Sequence, residues 1–538
     1  MPPIAPSTSL TGLVRRRVPA GRIAIFGLAL FTAAPIVAVL ASLFTRTGGL
    51  YLASANGLSY LSGTLTLCLL VGGAAILIGA ASAALVTLTE FPGRRFLSIA
   101  LVLPFAIPSY IVAYTYADLL SPFGALRGLS LPEIRNLPGV AFILTLGVYP
   151  YVYLAMRADL SARSDAYLQA ARSLGAAPGA ALRRVIIPLS RPALAGGLAL
   201  ALMETAADYG VADYFGVKTL STGIFRTWYG LGDLPSASQL AAGLFLIAML
   251  LVLLEQINRR GRSSESARAL RGDQRIKLSP VHAAAAAVFC LLPIHFGFLI
   301  PVITLLAALP DATSVGATRG LGASILNTGL TAGAGAVLIS FLAIILAYAA
   351  RNQSRNRATS AVIRIATLGY ALPGAVIAIG ILTIVNSAPF ISTVSAGVFL
   401  LIYAYTARFL TIGYNSASSG LSRVSPDMEA VSRSLGASPQ RTVTAVHFPL
   451  CRSAIVAGAL IIFIDIAKEL PATLLLRPFD YETVATRVYR LASDERLTDA
   501  SPAALALILI GSIAVFLLEG ASRKKRYAPK EAITQSQI

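Results

Sequence analysis

The chain has 538 residues, of which 56% are hydrophobic and 13% charged, and its net charge is +20. Because soluble proteins carry about 25% charged residues, this composition excludes a mainly aqueous protein and requires lipid to cover the apolar surface. The 3 cysteines argue against a disulfide framework or a cysteine metal cluster. Almost all of the basic residues lie in loops between apolar runs, which argues against a nucleic-acid partner.

Apolar runs long enough to cross a bilayer about 30 Å thick recur along the whole chain. Each must be helical, because backbone groups find no water in hydrocarbon, and the alternation typical of an outer-membrane barrel is absent. We therefore predict an all-α polytopic membrane protein with twelve transmembrane helices. The predicted spans are 23–44, 64–88, 96–120, 138–156, 192–214, 237–257, 281–308, 323–349, 363–385, 394–414, 454–476 and 501–518.

The basic residues predict the orientation. With the amino terminus inside, the cytoplasmic segments hold 32 of the 44 Lys and Arg residues, which satisfies the positive-inside rule. These segments are 1–22, 89–95, 157–191, 258–280, 350–364, 415–453 and 519–538. Both termini are therefore predicted to face the cytoplasm. The first apolar run has the basic flank of a signal peptide, but it is longer than a usual signal core, so we interpret it as an uncleaved span.

The sequence is internally duplicated. Segments 168–191 and 429–452 align at an offset of 261, and 10 of their 24 positions are identical. AIPS at 106–109 aligns with ALPG at 371–374 at offset 265, as does Leu65-Thr66 with Leu330-Thr331. Each copy holds an even number of spans, so we expect a pseudo-twofold axis along the membrane normal. The predicted domains are a six-helix half at 1–257, a basic cytoplasmic linker at 258–280 and a second six-helix half at 281–538.

The duplicated cytoplasmic loop has the pattern of two short helices separated by glycine. In the second copy Ser425 or Asp427 can cap the first helix, Gly436 ends it, and Pro439 suits the first turn of the next helix. The first copy repeats this pattern around Gly175. An amphipathic element outside the membrane needs something to cover its apolar face, and the lipid surface or the protein's own bundle are alternatives to a partner protein.

This loop resembles the Glu-Ala-Ala loop of ATP-binding-cassette importer permeases, in which Glu-Ala-Ala, three residues, Gly, nine residues and Ile-x-Leu-Pro follow one another. Glu429 lies one position before the family's glutamate, and Gln169 replaces that glutamate in the first copy. The resemblance implies that each loop is a coupling helix inserted into one subunit of a cytoplasmic ATPase dimer. The residues that it assigns to the two loops are Gln169, Ala170, Ala171, Gly175 and Pro188, and Glu429, Gly436 and Pro449.

No segment of the phosphate-binding form G-x-x-x-x-G-K-[ST] occurs in the chain. The backbone cradle and lysine that hold nucleotide phosphates are therefore missing. We expect this chain to bind no cofactor, and ATP to be used by the partner ATPase.

Two predicted spans carry charges at membrane depth. The offset of 261 matches Glu204 with Asp465 and Asp208 with Glu469, and the spacing of four predicts that each pair shares one helix face. Charges inside a bilayer are costly and mark functional paths, whereas structural ion pairs are the alternative. The residues predicted to line a translocation path are Glu204, Asp208, Tyr209 and Asp213 on the fifth span, and Asp465, Lys468 and Glu469 on the eleventh.

Further tyrosines accompany these acids at 110, 114 and 116 on the third span and at 149, 151 and 153 on the fourth. Carboxylate and phenolate oxygens are hard donors that suit a small, highly charged cation. An interfacial aromatic belt is the alternative. The pattern defines no particular metal site.

Segments 203–233, 465–479 and 491–497 resemble those of ferric-iron uptake permeases within the same superfamily. The resemblance implies import of ferric iron, a periplasmic substrate-binding protein that docks on external segments 215–236 and 477–500, and a place in a bacterial inner membrane. Thiamine, polyamine, phosphonate and sugar-phosphate permeases share this architecture, so these substrates stay open. An ion-driven secondary transporter with carboxylate proton relays is a different alternative, and no reading predicts an enzyme.

Overall fold

The computed structural model describes residues 19–44, 50–122, 124–128, 132–173, 184, 187–259, 275–312, 315–353, 357–369, 372–387 and 397–526. The helices before the linker are α1 (Pro19–Ala41), α2 (Ala55–Leu88), α3 (Arg94–Ala100), α4 (Ser109–Leu119), α5 (Leu137–Ser173), α6 (Ile187–Ala207), α7 (Gly210–Tyr214), α8 (Leu220–Phe225) and α9 (Leu234–Arg259). The helices after it are α10 (Pro280–Ile294), α11 (Ile300–Ala308), α12 (Val315–Thr318), α13 (Leu321–Gln353), α14 (Arg357–Ala366), α15 (Gly374–Ser387), α16 (Val398–Leu421), α17 (Pro426–Ser434), α18 (Pro439–Thr442), α19 (Phe448–Lys468), α20 (Pro471–Leu476), α21 (Val484–Ser493) and α22 (Leu497–Arg526).

A helix lies at each of the predicted spans, which confirms the all-α polytopic fold. Among the described residues, 8 helices are long and apolar enough to cross a membrane, or 9 if the bent pair formed by α3 and α4 counts as one span. The other predicted spans coincide with α6 and α7, with α14 and α15, and with α16, which are interrupted or less uniformly apolar.

The third predicted span is not one straight helix. The chain bends by 88° between residues 94–106 and the start of α4. Pro108 occupies the position before α4 and Pro104 lies in the short 3-10 turn before it. Proline has no N–H to donate and disfavours a helical residue before it, so the helix stops and restarts here. The repeated motif does the same in the second half, where α15 begins directly after Pro373.

The duplication is visible in equivalent hydrogen bonds. The backbone N–H of Leu220 donates to the Thr64 hydroxyl, and the N–H of Val484 donates to the Thr328 hydroxyl, both at 2.8 Å. Each bond is donated by the first residue of a helix with a threonine capping box, at 219 and 222 in one copy and at 483 and 486 in the other. The offset here is 264, so the sequence alignment of Leu65-Thr66 with Leu330-Thr331 at offset 265 is wrong by one residue.

The chain divides into two compact units. The smaller unit comprises Met1–Ala34, Ala334–Tyr370 and Tyr405–Ile462, and the larger comprises Pro35–Gly333, Ala371–Ala404 and Phe463–Ile538. Buried residues of α13, α16 and α19 form a core in the smaller unit, and the core of the larger unit includes α2, α4, α5 and α22. The boundaries of the sequence halves, 1–257, 258–280 and 281–538, stay a prediction.

The end of the linker pairs with the end of the second span. Strand β1 (Thr89–Glu90) and strand β2 (Ile276–Lys277) pair in parallel. The Glu90 carboxylate lies 3.3 Å from Arg94 Nε and 3.4 Å from Arg275 Nη1. Arg94 also donates to the carbonyl of Val86 at 2.8 Å. These contacts fasten residue 275 and those after it to the end of α2.

Candidate functional site

The fifth predicted span is interrupted near its carboxyl end. Helix α6 ends at Ala207, and α7 begins at Gly210 after two residues that belong to no helix. The Asp208 carboxylate accepts hydrogen bonds from the backbone N–H groups of Val211 at 3.1 Å and Ala212 at 3.2 Å. The first N–H groups of a helix have no partner within it. Asp208 therefore caps α7.

The eleventh predicted span breaks in the same way. Helix α19 ends at Lys468 and α20 begins at Pro471. The Glu469 carboxylate accepts hydrogen bonds from the N–H groups of Ala472 at 3.0 Å and Thr473 at 2.9 Å, and from the Thr473 hydroxyl at 2.8 Å. Both repeats thus place an acidic cap at a matched helix break.

These breaks correct one expectation. Glu204 lies on α6 whereas Asp208 lies beyond its end, and Asp465 and Glu469 are separated in the same way at the end of α19. Neither acidic pair therefore shares the face of one continuous helix. The reason is that the second acid of each pair bonds to the next helix, which stops the first one. That these residues line a translocation path stays a prediction.

Lys468 is the basic residue of this group. Its ammonium donates to the Phe105 carbonyl at 3.3 Å and lies 5.5 Å from the centroid of the Phe105 ring. The carboxylates of Asp465 and Glu204 both interact electrostatically with it. Glu204 is exposed and Asp465 is partly buried. The first acids of the two repeats therefore act on one cation.

A second polar group forms between the first break and α21. The hydroxyl oxygens of Tyr209 and Tyr489 lie 2.9 Å apart, and the Tyr489 hydroxyl donates to the Asp213 carboxylate at 2.7 Å. The Tyr209 ring stacks on Phe225 with centroids 3.6 Å apart. Tyr209 is buried, whereas Asp213 and Tyr489 are partly exposed. We call Tyr209, Asp213 and Tyr489 the tyrosine–aspartate cluster.

Sequence reasoning predicted two members of this cluster and missed Tyr489. Tyr489 lies 276 residues after Asp213, on a helix that the hydropathy pattern assigned to an external segment. The matched threonine capping boxes are the feature that could have revealed a helix there. They do not reveal which side chain of that helix meets the first repeat.

Several other tyrosines have structural bonds. The hydroxyl groups of Tyr116, Tyr149 and Tyr153 each donate to a backbone carbonyl at 2.7 to 2.8 Å. Tyr114 packs edge-on against Tyr214 with ring centroids 4.4 Å apart. The first three thus tie helices together, and the tyrosines of this region do not form one continuous group of free donors.

The second copy of the repeated loop forms a helix–glycine–helix element. The Ser425 hydroxyl accepts a hydrogen bond from the Met428 N–H at 3.3 Å and caps α17. Gly436, with a φ of 78°, lies just after that helix, in the left-handed region that glycine adopts without strain. Helix α18 and a π-helical turn at Val443–His447 then lead into α19. We call residues 425–449 the coupling element.

One face of the coupling element is apolar and exposed. Met428, Val431 and Leu435 expose 45%, 57% and 81% of their surface. They line an open groove of about 610 Å³, to which Asp427 and Arg441 also contribute. Exposed apolar surface of this kind marks an interaction site or a liability. The lining suits a partner with a projecting apolar segment and mixed charge around it.

The other side of the coupling element is held within the chain. The Glu429 carboxylate lies 2.7 Å from Arg351 Nη2 and 3.2 Å from His447 Nε2. Arg351, on α13, also donates to the Val424 carbonyl at 2.9 Å, and the Tyr348 hydroxyl lies 2.6 Å from His447 Nδ1. Burial lowers the pKa of His447, although Glu429 opposes that shift. Glu429, found one position early in the sequence pattern, thus anchors the coupling element to α13.

The first copy is described only in part. Gln169, Ala170 and Ala171 lie on α5, and Pro188 is the second residue of α6. Gly175 lies outside the described residues. In the second copy Pro449 is the second residue of α19, as Pro188 is of α6. The ATPase-coupling role of both copies stays a prediction.

Within the part of the chain that the structure describes, no group of three or more His, Cys, Asp and Glu residues is placed to hold a metal ion. A cation site in these residues would therefore need other donors as well, such as hydroxyl, phenolic or backbone carbonyl oxygens. The tyrosine–aspartate cluster offers two phenolic oxygens beside a carboxylate.

Comparison with known proteins finds similarity to membrane components of transport systems. Residues 75–262 match the family described as binding-protein-dependent transport system inner membrane component. The chain is 27% identical over 484 residues to the Fe(3+)-transport system permease protein FbpB 2 of Haemophilus influenzae, which covers 87% of this chain and 90% of the relative. It is 22% identical over 378 residues to the ferric transport system permease protein FbpB of Actinobacillus pleuropneumoniae, with 66% of this chain and 54% of the relative covered.

A shorter match joins 32% of the chain to 65% of the sulfate transport system permease protein CysT of Salmonella typhimurium, at 30% identity over 184 residues. The transport relatives differ in the substrate that their names state, but all are permeases. The family match at residues 75–262, the multi-pass helical fold and the similarity along most of the length all agree with a membrane permease of binding-protein-dependent transport, and ferric-transport permeases are among the proteins that the chain resembles.

Proposed function

We propose that this chain is the transmembrane permease of an ATP-driven importer of ferric iron, located in the inner membrane of a bacterium with both termini in the cytoplasm. Similarity to a ferric-transport permease over 87% of the chain supports the substrate, whereas the sulfate permease matches only 32%. The distribution of Lys and Arg supports the orientation.

The observation that carries the ATP-driven part is the exposed apolar face of the coupling element. An element that is anchored on one side by Glu429 and Arg351 and bare on the other is suited to receive force from a partner. The sequence repeats the element, which suits a partner that is itself a dimer. An ion-driven transporter has no use for two such elements, so these observations favour an ATPase dimer.

The proposed mechanism is alternating access. ATP binding closes the ATPase dimer, the coupling elements move with it, and the permease passes between states that open to opposite sides. The chain itself binds no nucleotide and changes no covalent bond. ATP is bound by the partner.

A substrate-binding protein is the proposed partner outside. The external segments 215–236 and 477–500 expose Tyr229, Leu231 and Phe479 by 60%, 71% and 98% of their surface. Exposed aromatic and aliphatic side chains of this kind are typical of docking surfaces.

The motor part is tested by cross-linking in the assembled complex. A Leu435→Cys variant should form a cross-link to the ATPase, because Leu435 lies in the groove and is 81% exposed. Phe479→Cys is the matched control, since Phe479 is 98% exposed but lies on a predicted external segment. A cross-link at Phe479 and none at Leu435 would overturn the assignment of the coupling element.

The substrate is tested by transport. The complex reconstituted in vesicles, with its ATPase and binding protein, should accumulate radiolabelled ferric iron when ATP is supplied. Sulfate, thiamine and a hexose phosphate are the comparison substrates. ATP-dependent uptake of one of these, with none of iron, would overturn the ferric assignment and leave the permease assignment standing.

A further inference from the structure

We propose that the tyrosine–aspartate cluster is a binding site for a hard trivalent cation during its passage through the permease. This inference rests on the proposed function and names the residues that would hold the substrate. All three residues belong to the larger unit.

The first argument is the spacing of the oxygen atoms. Two ligands at neighbouring corners of an octahedron lie about 2.8 Å apart when each is about 2.0 Å from a small hard cation. The Tyr209 and Tyr489 hydroxyl oxygens are 2.9 Å apart, and the Tyr489 oxygen is 2.7 Å from the Asp213 carboxylate. These are the lengths of ordinary hydrogen bonds, and they also fit two edges of a coordination shell, so a cation could replace the two protons with little movement of the three oxygen atoms.

The second argument is charge. Two phenolates and one carboxylate together carry three negative charges, which neutralise a trivalent cation. On binding, each phenol releases its proton to solvent and forms an oxygen–metal bond, with no change of oxidation state. A divalent cation would leave an excess negative charge or keep one phenol protonated. Because uncompensated charge is costly away from bulk water, only a trivalent ion can bind all three donors in their charged forms.

The third argument is that the donors are held in place. The Asp213 N–H donates to the Tyr209 carbonyl at 2.8 Å, so the two side chains are one helical turn apart. The Tyr209 ring is fixed by its stacking on Phe225. Helix α21, which carries Tyr489, is fixed at its start by the Thr328 hydroxyl. Preorganised ligands bind with less loss of conformational freedom.

The fourth argument is that the cluster occurs once although its framework occurs twice. At the offset of 264 set by the capping boxes, Tyr489 matches Phe225. At the offset of 261 set by the helix breaks, the two cluster residues of the first repeat match Leu470 and Leu474. The second framework thus folds with apolar residues in all three places. The polar donors are therefore not required by the fold, which points to a ligand.

The remaining coordination positions would be filled by water or by ligands that the ion brings with it. Asp213 and Tyr489 are partly exposed, so such ligands have access to the site. Hard oxygen donors of this kind select small, highly charged cations over soft ones.

The test uses the full-length chain in lipid nanodiscs and Fe(III) supplied as its nitrilotriacetate complex. Phenolate bound to Fe(III) gives a charge-transfer band in visible light, which reports tyrosine coordination directly. We expect this band in the native chain. Tyr489→Phe and Tyr209→Phe keep the aromatic ring. Each should weaken the band, because only one phenolate remains, and should lower the affinity by at least about tenfold. Asp213→Asn should lower affinity but leave the band.

Tyr481→Phe is the matched control. Tyr481 lies on the segment just before α21, and its hydroxyl donates to the Asn327 carbonyl at 3.0 Å, outside the cluster. It should leave band and affinity unchanged. Ga(III), which has the same charge and no redox chemistry, should compete with Fe(III), and Ca²⁺ should not. An absent band in the native chain, or a band in both cluster Tyr→Phe variants as strong as the native one, would overturn the site.

The same variants in the transport assay separate the two proposals. If iron uptake is normal in native and variant complexes, the site is wrong and the proposed function stands. If the native complex takes up another substrate and no iron, the proposed function is wrong and the site loses its role. If uptake of iron falls in the cluster variants but not in Tyr481→Phe, both are supported.

Discussion

The two helix breaks of the permease share a framework and differ in what surrounds it. In each, an acidic residue, Asp208 or Glu469, ends one helix and caps the next. After the first break come Tyr209 and Asp213, whereas the matched residues after the second are leucines. Both repeats therefore keep the helix break and its acidic cap, whereas the side chains that follow the cap differ between them.

The largest expected effect contrasts the two residues that follow the caps. Leu470 is 2% exposed, so Leu470→Ala should lower the free energy of unfolding by about 3 kcal/mol through lost contacts and a cavity. It should leave the affinity for Fe(III) unchanged. Tyr209→Phe should do the reverse, with a stability change under about 1 kcal/mol. Unfolding in detergent and iron titration measure the two quantities. Equal effects on both would remove the contrast between the breaks.

Removal of either acidic cap should lower the free energy of unfolding, but by different amounts. Glu469→Ala deletes an acceptor of three hydrogen bonds and should lower the free energy of unfolding by about 2 kcal/mol. Asp208→Ala deletes an acceptor of two and should lower it by about 1 kcal/mol. Glu469→Gln keeps an oxygen acceptor and serves as the control, with a smaller loss. A stable Glu469→Ala chain would show that the cap is dispensable.

Thr64 and Thr328 occupy matched positions in the two repeats, so substitutions at them should have equal effects on stability. Thr64→Val and Thr328→Val each remove a hydroxyl that accepts a 2.8 Å hydrogen bond from a helix start. Each should lower the free energy of unfolding by about 1 kcal/mol, because a buried N–H is left without its partner. Thr→Ser at the same positions keeps the hydroxyl and controls for it. Unequal losses in thermal unfolding of the two Val variants would mean that the two hydrogen bonds do not contribute equally to stability.

The smallest effect distinguishes the two coupling loops by pH. Burial lowers the pKa of His447 below its ordinary value of 6.5. The folded coupling element therefore takes up a proton less readily than the unfolded chain, and its stability is complete above about pH 6.5 and falls as the pH drops below that value. Hydrogen exchange of residues 426–447 between about pH 5 and 8 should show faster exchange at the acid end.

The first loop supplies the control for this prediction, since Ile186 occupies the matched position in the sequence. Exchange there should lack the acid-induced increase. A His447→Gln variant should also lose the pH dependence of the second loop. Unchanged dependence in that variant would assign the effect to another group.

Much of this architecture was predictable from the sequence. Hydropathy placed a helix at every span, and the spacing of Gly436 and Pro439 predicted the coupling element, because glycine and proline act through local backbone geometry. The break after Ala207 escaped prediction, since Asp208 lies in an apolar run with no proline. The prolines at 108 and 471 indicate the bend and the second break, but the spans there were assigned as continuous helices from their hydropathy.

The contact between Tyr489 and Asp213 could not be predicted from the sequence, for a different reason. Contacts between distant segments depend on how helices pack, and no local pattern encodes them. The same holds for the contact of Glu429 with Arg351 on α13, 78 residues earlier. The sequence motif drew attention to Glu429 as a displaced family residue, and only the fold shows its internal partner.

The parallel pairing of β1 with β2 has a consequence for how the two halves stay together. Residue 275 and its neighbours contact the end of α2 through backbone pairing and through Glu90, and this contact does not itself require an intact peptide between 260 and 274. We expect a gene cut in two within this interval to yield fragments that find each other in the membrane when expressed together. The two halves would then assemble as a heterodimer, with the pairing of β1 and β2 forming part of the contact between them.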